Sequence, residues 1–228
     1  GQLMNWNPFD NNAGNYNCIV VGRSGSGKSV FMQEMLLNGL SMNSNVFVID
    51  VGRSFEKLCD VLKGQKIEFS KDARICLNQE DRETAFTFLK SIISSMAAPS
   101  QGTSDLENAL IEKAVINAWK EKGRSSTITD VASWLNEDGD KKARTLSVML
   151  TPYTKDGVYA KYFEGVNDVN FSNPMVLIEL EELKGKKDLQ SVVLQLFIMT
   201  IANRAFLGDR RTPFYICIDE AWDLLKAK

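Results

Sequence analysis

The chain has 228 residues, 44% hydrophobic and 25% charged, with a formal net charge of −2. That size and balance suit one large or two small globular domains with a sizeable core. They exclude a protein that coats nucleic acid through bulk positive charge, and the total lack of histidine removes imidazole ligands and histidine bases.

An Asn-rich, aperiodic lead-in runs to Asn17, and Cys18 to Val21 then forms a short apolar run of the kind found in strands buried on both faces. After GRSGSGKS, a helix is expected with Phe31, Met35, Leu36 and Leu40 at helical spacing and Gly39 weakening its end. Val46 to Ile49 reads as a second buried strand ending in Asp50, Phe55 to Leu62 as a helix, and Lys66 to Phe69 and Arg74 to Leu77 as short strands. Strand–helix alternation of this kind argues for a parallel α/β sheet.

From Asp81 to Phe163 the signatures become helical. Ser104 and Glu107 match a capping box ahead of a stripe of Leu106, Leu110, Ala114 and Ala118, with Ile111 and Val115 beside it. Asp130 is read as the cap of a helix carrying Val131, Trp134 and Leu135, and Leu146, Met149, Leu150 and Tyr153 form a further stripe. Turns are expected at 99–102 and 123–126. Tyr153, Tyr159, Tyr162 and Phe163 are read as helix packing rather than base-stacking platforms. The α/β pattern returns with a strand at Met175 to Leu180, a largely buried helix at Leu189 to Leu207, and a strand at Phe214 to Ile218 ending in Asp219. The expected organisation is an α/β core over 1–80 and 164–228, interrupted by an all-helical insertion over 81–163.

Two elements carry chemistry. Gly22-Arg23-Ser24-Gly25-Ser26-Gly27-Lys28-Ser29 fits the P-loop pattern in full and sits between a strand-like run and a helix, the context a nucleotide cradle needs. Consecutive backbone N–H groups must converge on phosphate oxygens, glycine permits that approach, and the following helix aims its positive end at the same place. Residues 22–30, through Val30, are therefore expected to wrap a nucleoside triphosphate, with Lys28 on the β- and γ-phosphates and Ser29 on Mg²⁺. The second element is the acidic strand end, where Asp219 is expected to bind Mg²⁺ and Glu220 to act as general base on the attacking water. Asp50 and Arg53 either reach the nucleotide or serve as a capping carboxylate and a solvated cation. Glu179, Glu181 and Glu182 are read as solvated or ion-paired.

Four scattered cysteines, Cys18, Cys59, Cys76 and Cys217, include no C-x-x-C pair. Cys18 and Cys217 are expected as buried small hydrophobes, which fits a reducing compartment. No apolar run reaches the ~20 residues of a spanning helix; the nearest, from Val192 to Leu207, is interrupted by Gln195, Thr200, Asn203 and Arg204. No signal peptide is read, and the chain is expected to be soluble. Gly1 in place of Met and a final AWDLLKAK at an apparent helix start read as a piece of a longer protein.

The segments NYNCIVVGRSGSGKSVFMQEM, VFVIDVGRSFEKL, VLIELEELKGKKDLQSVVLQL and FYICIDEAWDLL, in this order, resemble the TraC-type ATPases of conjugative type IV secretion systems, within the FtsK/HerA-like P-loop superfamily. The resemblance implies a RecA-like core with a mainly parallel sheet and an inserted helical domain. It also implies a cytoplasmic ATP- and Mg²⁺-dependent motor, hexameric at full length, docked on secretion-channel components at the inner-membrane face and powering pilus biogenesis and substrate transfer. The arginine that completes a neighbour's site in this family lies beyond these segments, so weak turnover is expected of the isolated chain. A DNA translocase or coupling protein of the same superfamily, and a nucleotide-gated assembly module without turnover, are the alternatives, and DNA is a possible partner.

Overall fold

The computed structural model describes residues 7–9, 15–69, 82–99, 101–165, 171–207 and 211–221. Its centre is a parallel sheet of β1 (Asn45–Asp50), β2 (Gln65–Glu68), β3 (Met175–Glu179) and β4 (Phe214–Ile218), in the order β2-β3-β1-β4. Parallel strands need both faces covered and therefore read as continuous apolar runs. NVFVID and MVLIE obey this, with every residue of β3 and all but the first of β1 buried.

The two faces have different partners. Val46, Val48, Leu177 and Cys217 pack toward α1 (Lys28–Ser41) and α2 (Glu56–Val61), around Leu36, Phe55 and Cys59. Gly39 is buried in α1 because a Cβ there would lie 2.5 Å from the Tyr215 ring; it allows the helix to approach β4 closely. Met35 and Leu40 flank Leu36 as expected, whereas Phe31 is half-exposed and Met32 takes its place in the contact.

Phe47, Ile49, Ile67, Val176 and Ile178 point the other way, into one continuous core with the helices. These are α3 (Arg82–Ala97), α4 (Asp105–Lys122), α5 (Ile128–Glu137), α6 (Lys141–Leu150), the single turn α7 (Ala160–Phe163) and α8 (Lys187–Leu207). Edge-to-face rings connect sheet to helices, Phe47 to Phe171, Phe171 to Phe197 and Phe197 to Phe69, with centroids 5.9–6.1 Å apart. Between β2 and β3 every described element is helical.

Local signals explain the helix starts. The Ser104 capping box is present: the Ser104 N–H donates to Glu107 at 2.8 Å, and the Glu107 N–H to the Ser104 hydroxyl. Asp130 is not the cap expected of it. α5 begins two residues earlier, and Asp130, in its first turn, accepts from the Thr127 N–H at 2.9 Å. Leu106 and Met149 fall on exposed faces of α4 and α6, while Tyr153, Tyr162 and Phe163 are buried packing residues as expected. By length and composition α8 could span a membrane, contrary to the reading of its polar interruptions. Its Leu189, Val192, Val193, Phe197 and Ile201 are nevertheless buried in the core, as in the central helix of a globular domain.

Cys18 to Val21 is a correction. The run forms no strand and pairs with no described strand; Cys18 is exposed, and Ile19 and Val21 are each 86% exposed. Cys18 and Val20 line a cleft with Met32, Met35 and β4, so only one side of the run has a covering layer. β-branched composition favours a strand, but a strand also needs a ladder partner and a packed face. Arg74 to Leu77 and Cys76 lie outside the described residues.

These contacts predict graded losses in urea unfolding. Ser104→Ala should cost about 1 kcal/mol, and Phe197→Ala, at the centre of the ring contacts, roughly 3–5 kcal/mol.

Candidate nucleotide-binding site

The loop Gly22–Gly27 is solvent-exposed and turns through the Ser26 N–H, which donates to the Arg23 carbonyl at 3.1 Å. Gly25 and Gly27 have φ of +75° and +89°, left-handed values that a side chain would strain. Gly27 is the N-cap of α1, and among the described residues no side chain caps this end and no acidic residue sits in its first turn. The first N–H groups of the helix thus face outward with the positive end of its dipole, an arrangement suited to an anion. Lys28 Nζ folds across the loop to the Arg23 carbonyl at 3.2 Å. Val30 is exposed, on the outer side of the helix.

The far side of the site comes from the strand ends. Asp219 follows β4, with its N–H donating to the Ile49 carbonyl at 2.9 Å. Its Oδ1 accepts from the Glu220 N–H at 3.0 Å, which turns Oδ2 toward the Ser29 hydroxyl, 3.5 Å away. That separation is too long for a strong hydrogen bond. A neutral hydroxyl and a carboxylate facing each other beside the uncapped start of α1 form the kind of oxygen donor set that Mg²⁺ prefers. Glu220 is exposed, follows Asp219 directly and holds φ of +50°, a left-handed value. The structure therefore brings Lys28, Ser29, Asp219 and Glu220 to one edge of the sheet, across 190 residues of sequence between Ser29 and Asp219.

Register adds two further carboxylates. Asp50 and Glu179 end β1 and β3 as register partners, and both are buried, at 0% and 1% exposure. Asp50 caps the following turn, accepting from the Val51 N–H at 2.8 Å and the Phe55 N–H at 3.2 Å. Glu179 accepts from the N–H groups of Arg53 at 3.1 Å and Glu181 at 2.9 Å. Glu179 is thus not solvated, whereas Glu181 pairs with Lys184 at 3.7 Å and Glu182 with Arg53 at 3.9 Å. Arg53 also meets Glu56 at 3.5 Å. Sequence reasoning missed Glu179 as a buried group, although its place as the last residue of an apolar strand, like Asp50, was the available signal. It missed Gln33 as well, which lies one helical turn beyond Ser29 on the same face of α1 and donates to the Ser54 carbonyl at 2.7 Å.

Burial raises both carboxyl groups, Glu179 from 4.5 to about 7, with the charge of Asp50 adding to the rise at Glu179 and that of Asp219 to the rise at Asp50. A raised folded-state value means that the stability held by the neutral acid is complete below pH 4.5 and is lost as the pH climbs through about 7. Relative to Glu179→Gln, the wild-type chain should lose roughly 3 kcal/mol of unfolding free energy across that window, measured by chemical denaturation at several pH values. A pH-independent difference between the two would contradict the assignment.

Comparison with known proteins fits this geometry. Residues 4–85 match the TraG P-loop domain. The chain is 28% identical to protein TraC of Escherichia coli (strain K12) over 94% of its own length, and spans about a quarter of that curated relative, 26%. The structure of VirB4 of Thermoanaerobacter pseudethanolicus superposes with a TM-score of 0.72 at 20% identity, covering 89% of this chain and 60% of that one, a likeness of fold. Family model, curated relative and solved structure agree with the phosphate loop and the parallel α/β core: the chain carries a match to the TraG P-loop domain over residues 4–85, is similar in sequence to TraC and shares the fold of VirB4.

Proposed function

We propose that this chain is the ATP-binding and ATP-hydrolysing motor core of a conjugative type IV secretion system, serving pilus biogenesis and substrate transfer. The observation that carries the reading is the approach of Ser29 Oγ to Asp219 Oδ2 at 3.5 Å, directly beside the uncapped start of α1. In this reading the N–H groups of residues 22–30 hold the β- and γ-phosphates, Lys28 swings from the Arg23 carbonyl onto them, and Ser29 and Asp219 hold the magnesium ion. Bound Mg²⁺ would supply neutralisation of the charge that develops on the transferred phosphoryl oxygens. Glu220 orients the attacking water and accepts its proton, a role that suits an exposed carboxylate fixed by its own backbone next to Asp219.

The division into an α/β core, 1–80 with 164–228, and a helical lobe, 81–163, belongs to the same proposal, as do a homo-hexamer at full length and docking on channel components at the cytoplasmic face of the inner membrane. Sequence similarity to TraC and the fold shared with VirB4 support this context. Motor action, assembly and Mg²⁺ dependence are inferences from the site chemistry and the family.

The test is steady-state ATPase activity with Mg²⁺, alongside calorimetric ATP binding, on the full-length protein with and without DNA. Glu220→Gln should lower kcat about a hundredfold or more while ATP still binds, and Lys28→Ala should remove most of the binding heat. Equal rates for wild type and Glu220→Gln would sink the hydrolysis assignment.

A further inference from the structure

The described surface offers an apolar cleft beside β4, exposed apolar side chains on α1 and lysines around Tyr159 and Tyr162, but nothing there says what occupies them. The turn between β1 and α2 is different, because its connections lead somewhere definite. Its backbone donors end on two buried carboxylates: Val51 and Phe55 on Asp50, and Arg53 on Glu179. Arg53 is held at φ of +56°, a left-handed conformation for a residue with a Cβ, which persists only where the surroundings enforce it. The one acceptor the turn offers to α1 is the Ser54 carbonyl, taken by Gln33 at 2.7 Å. Gln33 and Ser29 share a face of α1 one turn apart, and Ser29 is the residue that faces Asp219. The first turns of α1 therefore face the end of β4 through Ser29 and are tied to the turn after β1 through Gln33.

Resting on the reading of this site as an ATPase centre, we propose that Glu179 is a positioning residue for it. By holding Arg53 in its left-handed conformation Glu179 fixes the Ser54 carbonyl, and through Gln33 it sets the distance between Ser29 and Asp219. Glu179 touches neither phosphate nor metal. It acts through the Val51–Phe55 turn, and Asp50 supports the other end of that turn. An isosteric amide at 179 keeps one acceptor but turns an N–H₂ toward one of the two backbone donors, so the turn loses one of its holds. Loss of Gln33 leaves the turn intact and cuts its link to α1.

The two changes thus interrupt one path at different places, which a double-mutant cycle detects. In the full-length protein, kcat and KM for ATP are measured for wild type, Gln33→Ala, Glu179→Gln and the double variant, with Lys28→Ala as the control for site-dependent turnover. Each single variant should lower kcat about tenfold or more with KM within about twofold, since a small misplacement of reacting groups has effects of this size. The double variant should be no slower than the worse single one. A purely structural Glu179 would instead lower the folded fraction, leave the kcat of folded protein unchanged, and combine additively with Gln33→Ala. Either of those results, or a Gln33→Ala variant with wild-type kcat, overturns the proposal. Gln33 is partly exposed, so its variant folds and decides the matter even where Glu179→Gln is unstable. Turnover in wild type that survives Lys28→Ala would sink the ATPase reading itself, a result distinct from failure of the relay.

Discussion

Everything at the site depends on one constraint of a parallel sheet covered on both faces. Its central strands β1 and β3 have no room for polar side chains along their buried length, so carboxylates collect where these strands end. All strands end on the same side, and the register sets Asp50 against Glu179 and Ile49 against Ile218, with Asp219 one step further. Three acids from distant parts of the chain thereby share one edge. Open α/β folds bind ligands along this edge, and here the phosphate loop leads into α1 beside it.

The three acids are not equivalent, because their solvation differs. Asp219 keeps partial access to water and has one oxygen tied to the Glu220 N–H, leaving the other to face Ser29. Asp50 and Glu179 are closed off, and each spends its oxygens on backbone N–H groups of the next segment. Isolated buried carboxylates are costly, and two hydrogen bonds each with a raised proton affinity lower that cost. The result is a rigid five-residue turn wedged between the start of α1 and the end of β3. Such rigidity suits a centre whose rate depends on placement of charge.

Among the described residues, the helical segment between β2 and β3 shares one apolar cluster with the sheet. α3 and α8 lie on the sheet face carrying Phe47 and Ile178, and the same apolar cluster continues through α4, α5 and α6. The continuity joins the strand-end edge to the helices, through β3 and the short turn at 181–183 that leads to α8.

The phosphate loop, the strand runs of β1, β3 and β4, the capping box at Ser104 and the long buried helix were legible in the sequence because each is a local pattern. Glycine spacing, continuous β-branched runs and cap residues act over a few residues and leave a direct trace. What escaped was non-local. Cys18 to Val21 has strand composition but pairs with no described strand, and the lack of a partner is not written in those residues. Glu179 reads like its less buried neighbours Glu181 and Glu182, and the parallel register with Asp50 places it in the core. The role of Gln33 depends on the path of a turn that begins some 20 residues later, and Asp130 as a first-turn partner rather than a cap depends on where α5 begins. Residue order determined which chemistry the chain carries; tertiary pairing decided which carboxylates meet solvent, because burial and charge are properties of neighbours brought together by folding.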